Sequence, residues 1–262
     1  MSSKIFQKNQ LNLLVTVVSI ITSYYIAIIL HEWGHGTVAW LYGYKEAFFD
    51  VDYGGWLLQR VDENVPYNQI LAAKRGVAAA LIGIAGVSVS IVLFLFSLLM
   101  MSKIKRSGFL YSFFYWFSVI NMIPIIQYLT VQTFSVEGDV GRFTHGLDIS
   151  PWWVFVPGVI FICFALRQLL GWVVPKAYAM IPIKKLWVQR CFLGASLGIM
   201  FLLIYAGGYN PLSDKGMPPV GKVWAVVNML LVPILFVLCN PSRKWVKKET
   251  QKFAGTISRK KG

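Results

Sequence analysis

Two of the three histidines in this chain of 262 residues stand four positions apart, in the run His31-Glu32-Trp33-Gly34-His35. On an α-helix, positions i and i+4 lie on one face, so both imidazoles can bind one metal ion. Zinc suits two neutral imidazoles and a carboxylate, and it keeps a fourth position for a water whose pKa it lowers to about 7. Glu32 would accept the proton of that water as general base and pass it to the leaving amine. The motif predicts a catalytic zinc site with His31 and His35 as metal ligands and Glu32 as a catalytic residue.

Such a site needs a third protein ligand, which must be an oxygen donor or the remaining histidine. Five side chains qualify, four of them after the third apolar run and one in the first polar loop: Asp139, Glu137, His145, Asp148 and Glu63. The loop after the third apolar run can return to the end of the first run only if both runs cross the membrane in the same direction. The distribution of Lys and Arg predicts that they do.

The elements that carry these residues are predicted to be membrane helices. Apolar residues make up 56% of the chain and charged residues 14%, with a mean hydropathy of +0.60, whereas soluble domains are about 45 to 50% apolar and about 25% charged. Six apolar runs are long enough to cross about 30 Å of hydrocarbon: 11–30, 76–101, 108–131, 152–174, 186–207 and 222–239. We therefore expect an all-α polytopic membrane protein with about six transmembrane helices.

The first run and the polar interval after it have distinct patterns. The helical pattern of the first run continues through the histidine motif to about Gly43, with no small-residue cleavage site. A helix over 11–43 would be about 50 Å long, so its last third must tilt or leave the lipid. The polar interval 44–75 contains FFDVDYGGWLLQ, which alternates around a Gly-Gly pair and predicts a short strand or β-hairpin.

The net charge of +14 is concentrated at the C-terminus, where the last twenty residues hold eight of the 25 Lys and Arg. A basic tail beside a membrane span is typical of cytoplasmic retention, and secondarily of contact with anionic lipid, and we expect no nucleic-acid partner. With six spans and an inward N-terminus, sixteen Lys and Arg lie on inside segments and seven on outside segments. We therefore expect a protein of the cell membrane with both termini in the cytoplasm and the histidine motif nearer the outside.

The chain resembles the site-2 protease family of intramembrane zinc metalloproteases over about residues 11–145. The resemblance lies in the apolar lead into HEWGHGTVAWLYGY, the Gly-Gly loop at 52–58, the small-residue run AAALIGIAG at 78–86, and NMIP at 121–124 followed by an Asp. It implies that Asp139, within EGDVGRF, is the third zinc ligand. It also implies that Asn121 positions the substrate or stabilises the oxyanion, as a second catalytic residue.

The resemblance and the motif together imply a metalloprotease core at 1–145, three additional transmembrane helices at 146–240 and a basic cytoplasmic tail at 241–262. The predicted function is hydrolysis of a peptide bond in or near a transmembrane segment of a membrane-protein substrate in the lipid bilayer, with Zn²⁺ as cofactor. The alternative is a non-catalytic membrane scaffold or transporter that retains a metal site. A di-iron enzyme is excluded because three histidines and a single intramembrane Glu are too few ligands. The sequence does not indicate an oligomeric state.

Overall fold

The computed structural model describes residues 2–56, 58, 61–104, 108–181, 183–205, 212 and 216–259. Two π-helical turns, Gln127–Val131 and Leu169–Val173, continue the helices that end at Ile126 and Gln168, and the 3-10 turn Leu203–Tyr205 continues the helix that ends at Leu202. The α-helices are α1 (Ser2–Leu41), α2 (Tyr67–Ala72), α3 (Gly76–Lys103), α4 (Phe109–Ile126), α5 (Asp139–Gly146), α6 (Trp152–Gln168), α7 (Val174–Met180), α8 (Leu186–Leu202), α9 (Pro219–Leu238) and α10 (Lys244–Arg259).

Among the described residues, five helical segments are long and apolar enough to cross a membrane. They are Leu13–Leu41, Gly76–Lys103, Phe109–Val131, Trp152–Met180 and Pro219–Leu238. A helix satisfies its own backbone hydrogen bonds, which is what hydrocarbon requires of a spanning segment. The chain is therefore an all-α polytopic membrane protein, as its sequence predicted.

The predicted sixth span, 186–207, forms the shorter apolar helix α8, of 17 residues. Its 3-10 continuation, Leu203–Tyr205, brings the helical length of 186–205 to about 31 Å, close to the thickness of the hydrocarbon core. The last two positions of the predicted span, 206 and 207, lie outside the described residues. α8 packs against α4 and α9, so it belongs to the helix bundle.

Helix α1 ends close to the predicted position. Gly43 has a φ of +76°, and the N–H groups of Gly43 and Tyr44 donate to the carbonyls of Trp40 and Ala39. A glycine in the left-handed conformation that caps the last carbonyls is a common helix terminator. The histidine motif therefore lies about two to three turns before the C-terminal end of α1.

The predicted hairpin is reduced to a closed loop, since the described residues between α1 and α2 contain no strand. One isolated antiparallel bridge joins Asp52 to Asp62 through two N–H···O bonds of 2.9 Å. Gly54 and Gly55 both have positive φ, so the Gly-Gly pair forms a turn instead of continuing a strand. Three positions of this loop lie outside the described residues: Leu57, Gln59 and Arg60.

Helix α3 is central to the half of the bundle that carries the histidines, because it packs against α1, α4 and α5. The main hydrophobic cluster contains Phe94 of α3, Trp116 of α4 and Leu193 of α8, so 1–145 and 146–240 share one core. Residues from the predicted tail form the helix α10, which packs against α7 and buries Val246. Lys260 and Lys261 of the tail lie outside the described residues.

Candidate metal centre

The structure brings the two motif histidines together with Asp139, and all three side chains are buried. His31 Nε2 and His35 Nε2 each lie 3.2 Å from Asp139 Oδ2, and the two Nε2 atoms lie 3.3 Å apart. Ligand atoms around a tetrahedral zinc ion are separated by about 3.3 to 3.4 Å, given metal–ligand bonds of about 2.0 to 2.1 Å. The three donor atoms are thus spaced like three corners of a zinc tetrahedron.

The remaining ring nitrogen of each histidine has its own partner. His35 Nδ1 lies 2.7 Å from the carbonyl oxygen of Ile82, which can only accept, so Nδ1 carries the proton. His31 Nδ1 lies 2.9 Å from Ser90 Oγ. In a neutral imidazole, a proton on Nδ1 leaves Nε2 as a bare lone pair. The Ile82 carbonyl therefore presents Nε2 of His35 in the form that binds a metal, and Ser90 holds the ring of His31 as outer partners do in known metal sites.

The two Nε2 atoms and Asp139 Oδ2 converge in a buried space. Three such atoms in contact require a proton or a metal cation among them, because buried lone pairs otherwise repel one another. A divalent metal ion fits this donor set, which is two imidazoles and one carboxylate.

Glycine allows α3 to approach the histidines. A Cβ atom on Gly86 would overlap His35 Nε2 and would lie 2.7 Å from His31 Nε2. Because such contacts are far shorter than ordinary van der Waals distances, only glycine fits at this position. Ser90, one turn further along the same helix, then reaches His31.

Two more glycines of α3 hold the short helix α5, which begins with Asp139. A Cβ atom on Gly83 would lie 2.8 Å from the Asp139 carbonyl oxygen, and one on Gly76 would overlap the carbonyl of Gly146. Gly146 in turn lies against Ala80. Close backbone packing along α3 therefore sets the position of α5, and so the position of Asp139 beside the two histidines.

The charge on Asp139 is set by its surroundings. Burial opposes ionisation, but the imidazoles of His35 and His31 outweigh burial and lower the pKa of the Asp139 carboxyl below its ordinary value. Asp139 is also the first residue of α5, where the helix dipole favours a negative charge. Asp139 is therefore a carboxylate, which is the form that binds a cation.

The other candidates for the third ligand are not part of the donor group. His145 and Asp148 are exposed, and the described metal-binding group does not include either of them or Glu137. Glu63 accepts a 2.6 Å hydrogen bond from Arg142 Nη1 in an ion pair. The structure thus places Asp139, of the five candidates, beside the two histidines.

Glu63 and Arg142 form a clasp between the 44–66 loop and α5. The guanidinium of Arg142 also lies 3.8 Å above the ring of Tyr67, a cation–π contact. Lys45 donates to the backbone carbonyl of Glu63, which ties the clasp to the loop. Burial lowers the pKa of Arg142, but the charge of Glu63 outweighs burial and raises it above its ordinary value. The Glu63–Arg142 clasp holds α5 one turn after Asp139.

Glu32 lies where two cavities meet beside the donor atoms. A cavity of about 240 Å³ touches His31 and has a mixed wall, in which polar groups such as Gln127 and Tyr24 accompany the apolar side chains Ala27, Ile28, Leu58, Ile120, Ile123 and Pro124. A second cavity of about 260 Å³ touches His35 and Asp139 and has a mainly polar wall, made of Glu63, Gln132, Ser135, Glu137 and Arg142. Glu32 and Tyr128 line both cavities. The half-buried side chain of Glu32 thus lies between a cavity of mixed polarity and a mainly polar cavity, both beside the cluster.

Asn121 lies in the neighbouring helix α4. Its side chain is buried in α4, where Nδ2 donates 2.7 Å to the carbonyl of Phe117. Its Oδ1 atom is buried without a hydrogen-bond partner among the described residues, and Asn121 lines neither cavity. The catalytic role of Asn121 stays a prediction.

Sequence reasoning missed three residues that support the cluster. Ser90 binds His31, Arg142 forms the clasp, and Tyr128 stacks on the ring of His31 at 5.8 Å and an angle of 13°. The sequence could have pointed to Ser90, because it is a polar residue in an apolar span and lies four positions after Gly86, on the same helix face. Tyr128 lies in the π-turn after α4, whose i→i+5 bonds the sequence pattern does not reveal.

Comparison of the chain with known protein families, curated proteins and solved structures gives no match. The assignment of a function therefore depends on the geometry of the cluster and of the cavities around it.

Proposed function

We propose that this chain is an intramembrane zinc metalloprotease of the site-2 protease type, with His31, His35 and Asp139 as the zinc ligands. The observation that carries this proposal is the buried convergence of two Nε2 atoms and one carboxylate oxygen, spaced 3.2 to 3.3 Å apart. Zinc in such a site supplies a polarised substrate carbonyl and a bound water that is acidic near neutral pH.

Glu32 is the general base in this proposal. It follows His31 directly and lines both cavities, so it faces the approach of water from the polar cavity and of a peptide from the cavity beside His31. It accepts the proton of the attacking water and then donates that proton to the leaving amine. Tyr128 and the Ile82 carbonyl hold the two rings in place while Glu32 acts.

The two cavities offer separate places for water and for the substrate. Hydrolysis needs water, which hydrocarbon excludes, and the polar cavity beside Asp139 offers a place for it. The cavity beside His31, which combines apolar side chains with polar groups, suits an unwound segment of a membrane-protein substrate. The segment must unwind because a helical amide is protected by its own hydrogen bonds. The loop closed by the Asp52–Asp62 bridge lies over this cavity through Leu58 and Val61. Its backbone can pair with the unwound segment.

The finer placement of the protein in the cell belongs to the same proposal. We infer that it is a protein of the cell membrane with both termini in the cytoplasm, on the support of the Lys and Arg distribution. This placement requires α8 to cross the membrane with the five longer segments, because an odd number of crossings would put the termini on opposite sides.

The experiment that tests the function is the substitution Glu32→Gln in purified protein, assayed with fluorescent transmembrane peptides in liposomes. We expect unchanged zinc content and loss of cleavage, because the amide keeps the shape of Glu32 and cannot accept the proton. Glu137→Gln, at the rim of the polar cavity, is the matched control and should cleave normally.

Two outcomes would contradict the proposal. Cleavage that persists in Glu32→Gln would remove the general-base role. Zinc binding by the wild type without cleavage of any peptide in the panel would favour the alternative function, a membrane scaffold or transporter that retains a metal site.

A further inference from the structure

A groove of about 620 Å³ runs between α6 and α9, and it shares no lining residue with the two cavities beside the metal centre. Its wall is mostly apolar and includes Val159, Ile162, Leu166, Leu170, Val227 and Leu231. The groove also contacts Arg167, Cys239 and Trp245, which lie toward the C-terminal ends of α6 and α9 and at the start of α10. A groove of this size is in the range of protein sites for small lipophilic ligands.

Arg167 lies at a depth where a charge is costly. Helix α6 begins with the exposed pair Trp152 and Trp153, which is typical of a membrane interface. Arg167 is about 22 Å further along the helix, within the last third of a hydrocarbon core of about 30 Å. A guanidinium at this level must extend to the headgroups or bind an anion.

The protein does not supply that anion in the part of the chain that is described. No carboxylate there lies within ion-pair distance of Arg167, whose side chain is exposed. The nearest segment with many charges is α10, which enters the groove through Trp245. Its first residues are exposed cations: Lys244, Lys247 and Lys248, preceded by Arg243. One end of an apolar groove therefore carries several cations, and among the described residues no carboxylate pairs with Arg167.

We propose that this groove binds a phospholipid with an anionic headgroup. An acyl chain lies between α6 and α9, and the phosphate binds the guanidinium of Arg167, whose planar fork matches phosphate oxygens. The cations at the start of α10 lie on the same side and favour a headgroup with net negative charge over a zwitterionic one. The site is separate from the metal centre and does not depend on the proposed proteolysis.

The test is titration of the delipidated full-length protein in detergent with dioleoyl phosphatidylglycerol, followed by native mass spectrometry. Dioleoyl phosphatidylcholine has the same acyl chains and no net charge, so it isolates the effect of the headgroup. We expect the phosphatidylglycerol complex to form at roughly tenfold lower lipid concentration than the phosphatidylcholine complex. Arg167→Gln should weaken phosphatidylglycerol binding by roughly tenfold, as expected for loss of one hydrogen-bonded charge.

Matched controls are available for both the charge and the groove. Arg190→Gln removes an exposed arginine that does not line the groove. Gly171 lines the groove and Gly198 does not, and a Cβ atom on either would meet nothing within 4 Å. Gly171→Leu should therefore block the acyl chain without a backbone clash, whereas Gly198→Leu should bind lipid as the wild type does.

The proposal is overturned if Arg167→Gln keeps the wild-type affinity, or if Arg190→Gln loses as much. Equal binding of the two lipids by the wild type overturns the requirement for an anionic headgroup. Unchanged binding by Gly171→Leu overturns the placement of the acyl chain in this groove, and this variant leaves Arg167 and the surface charge intact.

Discussion

A methyl group on Gly86 should disrupt the metal centre without touching a ligand residue. In Gly86→Ala, the new Cβ would overlap His35 Nε2 and lie 2.7 Å from both His31 Nε2 and His35 Cδ2. Ordinary contacts are about 3.5 to 4.0 Å, so the rings must retreat by about 0.8 Å or more. Metal sites tolerate deviations of only about 0.2 Å in ligand distance.

We expect zinc affinity to fall by about 100-fold in Gly86→Ala, which corresponds to about 2.7 kcal/mol. Changes to residues that contact metal ligands, but not the metal, typically lower affinity by about 10- to 100-fold. We expect the upper end of this range because Gly86→Ala displaces both imidazole rings at once. The assay is competition between the purified protein and a chromophoric chelator, with zinc content determined by mass spectrometry. Peptide cleavage should fall in parallel.

Gly198→Ala provides the matched control for this substitution. Both glycines lie inside helices, so alanine raises helix propensity at both by about 1 kcal/mol. A Cβ atom on Gly198 meets nothing within 4 Å, so its zinc affinity should remain that of the wild type. A folded Gly86→Ala protein with wild-type zinc affinity would refute the reasoning, because the histidines could then not both face Gly86 and bind the ion.

Three further outcomes follow from the same geometry. Asp139→Asn should lower zinc affinity at least 100-fold, whereas Glu137→Gln should leave it unchanged, as measured by zinc content. The reverse result would make Glu137 the third ligand. Glu63→Gln should lower zinc affinity by up to about tenfold and should also lower the thermal unfolding midpoint. The double variant Glu63→Gln, Arg142→Gln should lose less zinc affinity and less stability than the sum of the two single variants, because either change alone breaks the clasp. Reporter domains fused to the N- and C-termini should both be found in the cytoplasm, and termini on opposite sides would mean that α8 does not cross the membrane.

The pairing of His31 with His35 could be predicted from the sequence because helix geometry is local. A run of apolar residues of sufficient length specifies a helix, and a spacing of four then places two side chains on one face. The same local rules predicted the membrane class, most of the span boundaries and the end of α1 near Gly43. The hairpin prediction met a limit of those rules, since the described residues form one bridge, Asp52–Asp62, in place of a ladder.

The third donor was settled by contacts between distant parts of the chain. Asp139 is 104 residues from His35 in sequence, and five acidic or histidine residues satisfied the chemical requirement equally well. The resemblance pointed to Asp139, but the physical choice depends on how α5 packs. Gly83 and Gly76 admit the α5 backbone against α3, and Arg142 ties α5 to Glu63, which removes Glu63 from the ligand set.

By itself, then, the sequence determined the membrane helices and the two imidazoles that share a helix face, since backbone hydrogen bonding and side-chain periodicity act over a few residues. Only the tertiary structure decided which carboxylate lies beside the two imidazoles and which cavities flank Glu32. It also decided that α3 approaches the histidines at Gly86 and that Ser90 binds His31. These features depend on the close packing of α3 against α1 and α5, where a single Cβ atom changes which side chains can meet, and no short-range pattern carries that information.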